Sequence, residues 1–339
     1  MKNKMEKQKI ILTITPDMGI YNCIVDNLKY LGFEVYLICN KGFRYKNFKD
    51  RLISLFRKIV FKDKLFKYNL RQKYNFDTNQ IKLNDFPNVD FGLTIRADLF
   101  EIKTLENIKK KSKKNFCYHW DGLSRFENIE KTISIFDKFY IFDKEDLQNK
   151  LKTYPTTNFF FDCYPDLIKK NKKPEFDVYY IGSYDNRILK LIEICEFLDS
   201  QKLNLNIIIC GKPKRALKKY KYIKFIKKPL TYIENLKMVS NSSIIIDLHH
   251  EKIHNGLSFR TFESLGFDKK LITSNDIVKD YDFYNPENIF VYKNNFTEMK
   301  KFISTDYKSI DSKIKYKYSF TNWINYILEI DTTLPILIP

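Results

Sequence analysis

Residues 10–38, IILTITPDMGIYNCIVDNLKYLGFEVYLI, decide the fold. Ile10 to Ile14 is a β-branched run, closed by a turn at Pro16-Asp17-Met18-Gly19. A helical stretch follows to about Leu31, Gly32 stops it, and Glu34 to Ile38 is the next strand. This is one βαβ unit, and the pattern repeats. Val89–Ile95, Asn115–His119 and Lys138–Phe142 read as strands; Leu99–Lys111, Ile129–Ile135 and Glu145–Leu151 read as helices. Such alternation specifies a parallel sheet covered on both faces. Tyr164-Pro165-Asp166 then leads into seven polar or proline residues, 169–175, read as a linker. Beyond it the alternation restarts, with strands at 178–181, 205–210, 223–226, 244–248, 270–273 and 289–292 and helices at 187–198, 233–239 and 259–265. The expectation is an α/β chain of two doubly wound, Rossmann-like domains, residues 1–165 and 176–317. Residues 318–339 hold a C-terminal helix that is a candidate to cross back onto the first domain.

The chain has 339 residues, 44% of them apolar and 16% aromatic, enough for two packed cores. No apolar run approaches the roughly 18 residues of a membrane helix, and no signal peptide is expected. Cys23, Cys39, Cys117, Cys163, Cys195 and Cys210 are scattered without a CxxC pair, the pattern of reduced thiols in cytoplasm. The net charge of +19 is concentrated: residues 41–73 carry twelve basic side chains against Asp50 and Asp63, a net +10. Within that segment Phe48, Leu52, Phe56 and Ile59 recur at helical spacing, with Ile53 and Val60 alongside. Lys49, Arg51, Arg57 and Lys58 lie on the other side. Two readings stay open, a helix packed on the core with a solvated outer face, and a helix lying on an anionic membrane, for which Arg51, Arg57 and Lys58 are the contact candidates. Nucleic acid is not expected as a partner, because no helix-turn-helix, zinc-finger or RNP-like pattern accompanies the charge.

In an open parallel sheet, ligands sit beyond the C-terminal ends of the strands. In the second half those positions are Gly182-Ser183-Tyr184 and Gly211-Lys212-Pro213, where glycine lets backbone approach a ligand and Ser183 and Lys212 meet phosphate oxygens. The richest segment is residues 255–266, NGLSFRTFESLG. There Ser258 is an N-cap, and the helix after it carries Arg260 and Glu263 three residues apart. A helix N-terminus plus arginine suits a diphosphate, and a carboxylate one turn on suits two vicinal ribose hydroxyls.

The words Tyr180-Ile-Gly-Ser-Tyr184, Gly256-Leu-Ser-Phe-Arg-Thr-Phe-Glu-Ser-Leu-Gly266 and Lys270-Leu-Ile-Thr-Ser274 resemble the donor-nucleotide domain of GT-B glycosyltransferases, in particular the lipopolysaccharide and capsule enzymes of the CgeB-like group. The resemblance implies ribose contact for Glu263, diphosphate contact for Arg260 and the preceding loop, and donor contacts among Gly256, Leu257, Ser258, Thr261 and His250. It departs from the commoner retaining pattern, which has a further glutamate where Asn255 stands. His119-Trp120-Asp121 and Thr15-Pro16-Asp17-Met18-Gly19 also look like loops of that group. Asp121, then Asp17, then His119 are the candidates for general base, Asp17 following the first strand and His119 and Asp121 lying at the end of another.

His250-Glu-Lys-Ile-His254 spells the HExxH zinc signature, but a strand precedes it and Asn255-Gly256 ends any helix directly after it. Asp280-Tyr281-Asp282 mimics a DxD metal motif in a loop among aromatics. No metal or cofactor is expected. The function expected is therefore transfer from a nucleotide-sugar, UDP-sugar by default, to a cell-surface glycan or lipid-linked acceptor, in the cytoplasm at the inner face of the plasma membrane. A nucleotide-sugar epimerase on the same fold, a basic nucleic-acid-binding protein and a zinc hydrolase are its rivals.

Overall fold

The computed structural model describes residues 7–339 apart from 41, 64, 127–128, 148–150, 170–172 and 250–254. The strands are β1 (Lys9–Ile14), β2 (Glu34–Cys39), β3 (Val89–Ile95), β4 (Ser112–His119), β5 (Lys138–Ile141), β6 (Thr153–Pro155), β7 (Phe176–Ser183), β8 (Leu205–Cys210), β9 (Ile223–Ile226), β10 (Ser242–Asp247), β11 (Lys270–Thr273) and β12 (Ile289–Val291). They form two six-stranded parallel sheets, ordered β2-β1-β3-β4-β5-β6 and β12-β11-β10-β7-β8-β9. In each, the chain starts in the middle, fills one side and returns to fill the other. The order reverses between β1 and β3 in the first sheet and between β7 and β10 in the second, and crevices for ligands open at such points.

The helices are α1 (Ile20–Tyr30), α2 (Phe48–Val60), α3 (Leu65–Asp85), α4 (Ile102–Lys111), α5 (Glu130–Ile133), α6 (Pro165–Ile168), α7 (Ile188–Ser200), α8 (Tyr232–Ser240), α9 (Phe259–Gly266), α10 (Phe296–Ile303), α11 (Ser312–Lys317) and α12 (Phe320–Ile327). The basic segment is two helices rather than one. Of the helix expected over Glu145–Leu151, residues 148–150 lie outside the described residues, and its start is a 3₁₀ turn at Lys144–Asp146, where the Asp143 carboxylate accepts from Glu145 N. α3 carries no strong apolar stripe and buries only Asn79 and Leu83, so periodicity had little to register.

The chain packs as two compact units. One holds the residues up to Asp17, Leu31–Tyr140 and a stretch ending at Tyr154; the other holds Met18–Tyr30, Ile141–Leu147 and Pro155–Pro339. The division thus falls ahead of the polar stretch at 169–175. α1 belongs to the second unit, where Asn27 Nδ2 donates to Cys163 Sγ and Asn27 Oδ1 accepts from Cys163 N. α12 belongs there too: Trp323 and Phe320 pack on Phe159 at centroid distances of 4.4 and 5.0 Å, and Phe320 N donates to Phe160 O. Residues 159–161 are apolar enough to hold that helix, so it closes the unit in which it lies.

Each sheet interior is built from continuous β-branched runs. Ile207, Ile209, Ile244, Ile246 and Ile272 meet Leu191, Ile194 and Leu198 of α7 in the second unit. Strands buried on both faces have to be apolar throughout, which is why they were readable. Among the described residues no helix is long and apolar enough to cross a membrane.

Candidate functional site

The second unit opens a cavity of about 350 Å³ at its switch point, lined by Gly182, Ser183, Arg187, Ser258, Arg260 and Glu263 together with Met18, Ile181, Cys210, Pro229, Leu230, Tyr232, Asn235 and Phe259. Gly182 is required at the end of β7, because a Cβ there would lie 2.3 Å from the Tyr180 hydroxyl oxygen. Ser258 caps α9: its hydroxyl accepts from Arg260 N at 3.1 Å and donates to Asp247 Oδ2 at 2.6 Å. Thr261 Oγ1 donates to the same oxygen at 3.4 Å. Asp247, at the end of β10, therefore fixes the start of α9.

Two arginines strap the crevice. Arg260 Nη2 donates to the Ile181 carbonyl at 2.5 Å, and its Nη1 lies 3.5 Å from Asp247 Oδ1. Arg187 donates to both oxygens of Asp185, at 2.9 and 2.6 Å, and through Nη1 to the Leu248 carbonyl at 2.9 Å. Each guanidinium thus joins the exit of β7 to the exit of β10. Five donors in a rigid fork leave such a group able to hold the scaffold and face the cavity together.

Glu263 is 1% exposed. Its Oε1 accepts from Tyr232 Oη at 2.6 Å, and Asn235 Nδ2 lies 3.2 and 3.3 Å from its two oxygens. Asn235 is oriented for this by Tyr179, whose hydroxyl donates to Asn235 Oδ1 at 3.0 Å. Burial pushes the Glu263 carboxyl above its ordinary value, against the pull of Tyr232, Arg260 and Asn235. Tyr232 itself is pushed well up by burial and by Glu263, so it stays a donor. It opens α8, which starts on a capping box between Thr231 and Glu234. The cavity therefore pairs an electropositive wall with a buried acceptor and an apolar side at Pro229 and Leu230. That set suits a diphosphate, a diol and a planar ring.

Of the residues expected from sequence, Gly182, Ser183, Ser258, Arg260 and Glu263 line this cavity. Tyr184, Gly211, Lys212, Gly256, Leu257 and Thr261 do not. Tyr184 carries Lys214 over its ring, and Gly211 makes a turn at φ 144°. Leu257 and Thr261 are buried, and Gly256 abuts Phe142, whose carbonyl a Cβ would approach to 2.5 Å. His250 and the HExxH stretch lie outside the described residues. At Asn255, where the resemblance has a glutamate, the backbone N–H donates to Asp143 Oδ2 and the side-chain amide to Glu145 Oε1, both at 2.6 Å. Asp282 of the DxD look-alike is held by Tyr318 Oη and Lys317 Nζ. Sequence reasoning missed Arg187, Asp247, Tyr232 and Asn235.

The first unit has an ionic cluster at its own switch point. Arg96, directly after β3, adopts φ 65°, a left-handed conformation costly for a side chain with a Cβ. Its guanidinium takes both oxygens of Asp98 at 2.8 Å and also pairs with Asp121, which Arg125 Nη1 holds from the other side at 2.6 Å. Asp121 is therefore clamped between two arginines. Asp17 is exposed and accepts from Thr15 Oγ1 at 2.6 Å. His119, expected as a base, is wholly buried. It stacks on Phe139 and meets the edge of Phe126. Its Nδ1 is 3.6 Å from Asp98 Oδ1, and neither ring nitrogen has a hydrogen-bond partner among the described residues. Burial drives its pKa down to about 3, so it is a neutral packing residue rather than a group that meets an acceptor.

Two doubly wound domains in one chain define the GT-B fold. OtsA in its apo form superposes at a TM-score of 0.53 with 8% identity, covering 98% of this chain and 100% of that one. The catalytic domain of starch synthase IV from Arabidopsis thaliana, bound to ADP and acarbose, gives 0.51 at 8% identity over 91% and 94%. UDP-GlcNAc 2-epimerase from Methanocaldococcus jannaschii, in complex with UDP-GlcNAc and UDP, gives 0.47 at 15% identity over 94% and 99%. No protein-family model and no curated protein matches the sequence. Among the described residues no group of three His, Cys, Asp or Glu is placed to hold a metal ion.

Proposed function

We propose that the chain is a glycosyltransferase that takes a sugar from a nucleoside-diphosphate donor, UDP-sugar by default, and passes it to a hydroxyl of a cell-surface glycan or glycolipid. The observation that carries this reading is the convergence of Arg187, Arg260, the α9 N-terminus and buried Glu263 on one cavity at the β7/β10 switch point. Glu263 accepts from the ribose hydroxyls, and Pro229 and Leu230 face the base. The two guanidiniums and the α9 N-terminus hold the diphosphate and stabilise the negative charge that grows on it as the glycosidic bond breaks. They supply the positive charge that a metal ion would otherwise bring. The narrower placement, among lipopolysaccharide and capsule enzymes, rests on the motif resemblance alone.

For the base that deprotonates the acceptor we place Asp17 first. It is exposed, accepts from the Thr15 hydroxyl, and is next in the chain to Met18, which lines the cavity. Asp121 comes second, because its two carboxylate oxygens are already taken by Arg96 and Arg125.

The test is isothermal titration with UDP, GDP, CMP, TDP and ADP, followed by product analysis with the sugar nucleotide of the base that binds. Release of an epimerised sugar nucleotide without any acceptor would assign the chain to the epimerases. Failure of every nucleotide to bind would remove the donor reading.

A further inference from the structure

α2 is built inside out. At about 100° per residue, Phe48, Leu52, Leu55, Phe56 and Ile59 fall within an arc of about 100°. Asp50, Ser54 and Arg57 lie on the opposite side. On the polar side, Ser54 is where the helix is buried against the protein. Ser54 is 5% exposed and accepts from the Tyr45 hydroxyl at 3.0 Å, while Arg57 reaches Asp63 and lies over the Phe66 ring. The apolar side meets solvent, with Phe48 and Ile59 each 68% exposed and Phe56 58%. Phe61 and Leu65, at the turn into α3, extend the same exposed apolar surface.

A helix that packs to hide its apolar face cannot give this arrangement, and a merely solvated outer face would not be phenylalanine, leucine and isoleucine. Lys49, Arg51 and Lys58 flank the apolar arc. Beside the helix, Arg44, Lys46, Lys73 and Asp50 line a small hollow with Phe43, Tyr45, Leu70 and Tyr74, Lys46 being paired with Asp77. The occupant therefore has to accept inserted apolar side chains and present negative charge around them.

We infer that α2 and the turn after it dock this unit onto an anionic membrane surface. The helix lies in the plane of the headgroups, its apolar arc sinks between the acyl chains, and Arg51 and Lys58 meet lipid phosphates. Arg57, engaged by Asp63 and Phe66, does not share in that contact. The inference stands apart from the donor-site reading, since it is read out as vesicle binding rather than turnover.

The full chain is floated with vesicles of phosphatidylcholine alone and of phosphatidylcholine with a third phosphatidylglycerol. The wild type binds the anionic vesicles at least about ten-fold better. Leu52→Glu with Phe56→Glu lowers binding by about a hundred-fold while the melting temperature is kept, because both positions are solvent-exposed. Arg51→Glu with Lys58→Glu removes the preference for anionic lipid. Leu55→Trp, which leaves the face apolar, shows a blue-shifted emission only with anionic vesicles. Equal binding to both vesicle types, wild-type binding by the glutamate variant, or no Leu55→Trp shift overturns the proposal. So does a dimer in solution that the Leu52→Glu/Phe56→Glu pair dissolves, because the face would then belong to a second copy.

Discussion

Glu263→Gln is the sharpest perturbation of the proposed donor site, because it removes a charge and one acceptor while keeping the shape. In the wild type, Tyr232 Oη donates to the carboxylate at 2.6 Å and Asn235 Nδ2 approaches both oxygens. A glutamine keeps an oxygen for Tyr232 but turns its amide toward Asn235, which cannot flip without losing the hydrogen bond from Tyr179. Among the described residues Oε2 has only the longer Asn235 contact, so it is the oxygen that the proposed ribose contact would use. A hydrogen bond to a charged acceptor is worth about 1.5–3 kcal/mol, so Glu263→Gln weakens nucleoside diphosphate binding roughly ten- to a hundred-fold. Stability moves the other way. Burial raises the Glu263 pKa, so the folded protein holds that proton more tightly than the unfolded chain does. The resulting stability is present at acid pH and lost as pH rises through the raised value, leaving a net burden at neutral pH that glutamine removes. The expected pair of results is weaker binding by calorimetry with a melting temperature held or raised. Wild-type protein should also reject 2′-deoxynucleotides by a factor that shrinks in the variant. Equal affinity of wild type and variant, or wild-type binding of deoxy- and ribonucleotides alike, refutes ribose recognition by Glu263.

Three further outcomes follow from other residues. Arg187→Ala should weaken nucleoside diphosphate binding about ten-fold, from a loss of roughly 1.5 kcal/mol in one charge-assisted contact, while leaving the affinity of the bare nucleoside unchanged in the same calorimeter. His119, with its pKa depressed from 6.5 to about 3, adds stability that is complete above pH 6.5 and is lost as pH falls toward 3. The loss is about 2 kcal/mol by pH 5, so urea melts of His119→Leu between pH 6.5 and 5 should lack this acid limb. Gly266→Ala places a Cβ 2.2 Å from the Phe160 ring under a helix terminus with no room to give, and should lower the unfolding free energy by about 1–3 kcal/mol in denaturant titration.

What the sequence disclosed, and what it withheld, divides along the range of the interactions. Strands buried on both faces are unbroken apolar runs, so Ile10–Ile14 and Leu205–Cys210 announce themselves. The start of α9 is equally local, since Ser258, Arg260 and Glu263 fall within six residues and their roles follow from capping and helical spacing. Arg187 has no such signature. It becomes part of the site only because the Leu248 carbonyl, 61 positions away, ends a neighbouring strand. Tyr232 and Asn235 are likewise ordinary residues of a helix until folding sets them against Glu263. His119 stands where a base is expected, after a strand and beside an aspartate, yet Phe126 and Phe139 close over it. Position along the chain located the strand end, and packing decided which side chain there faces outward. α2 makes the same point most plainly. Its period establishes that the helix has an apolar side and a polar side, and the natural expectation is that the apolar side turns inward. Which side does so is decided by partners: Tyr45 and Asp63 offer hydrogen bonds and charge to Ser54 and Arg57. Ser54 goes in, and the apolar residues on the other side stay exposed among the described residues.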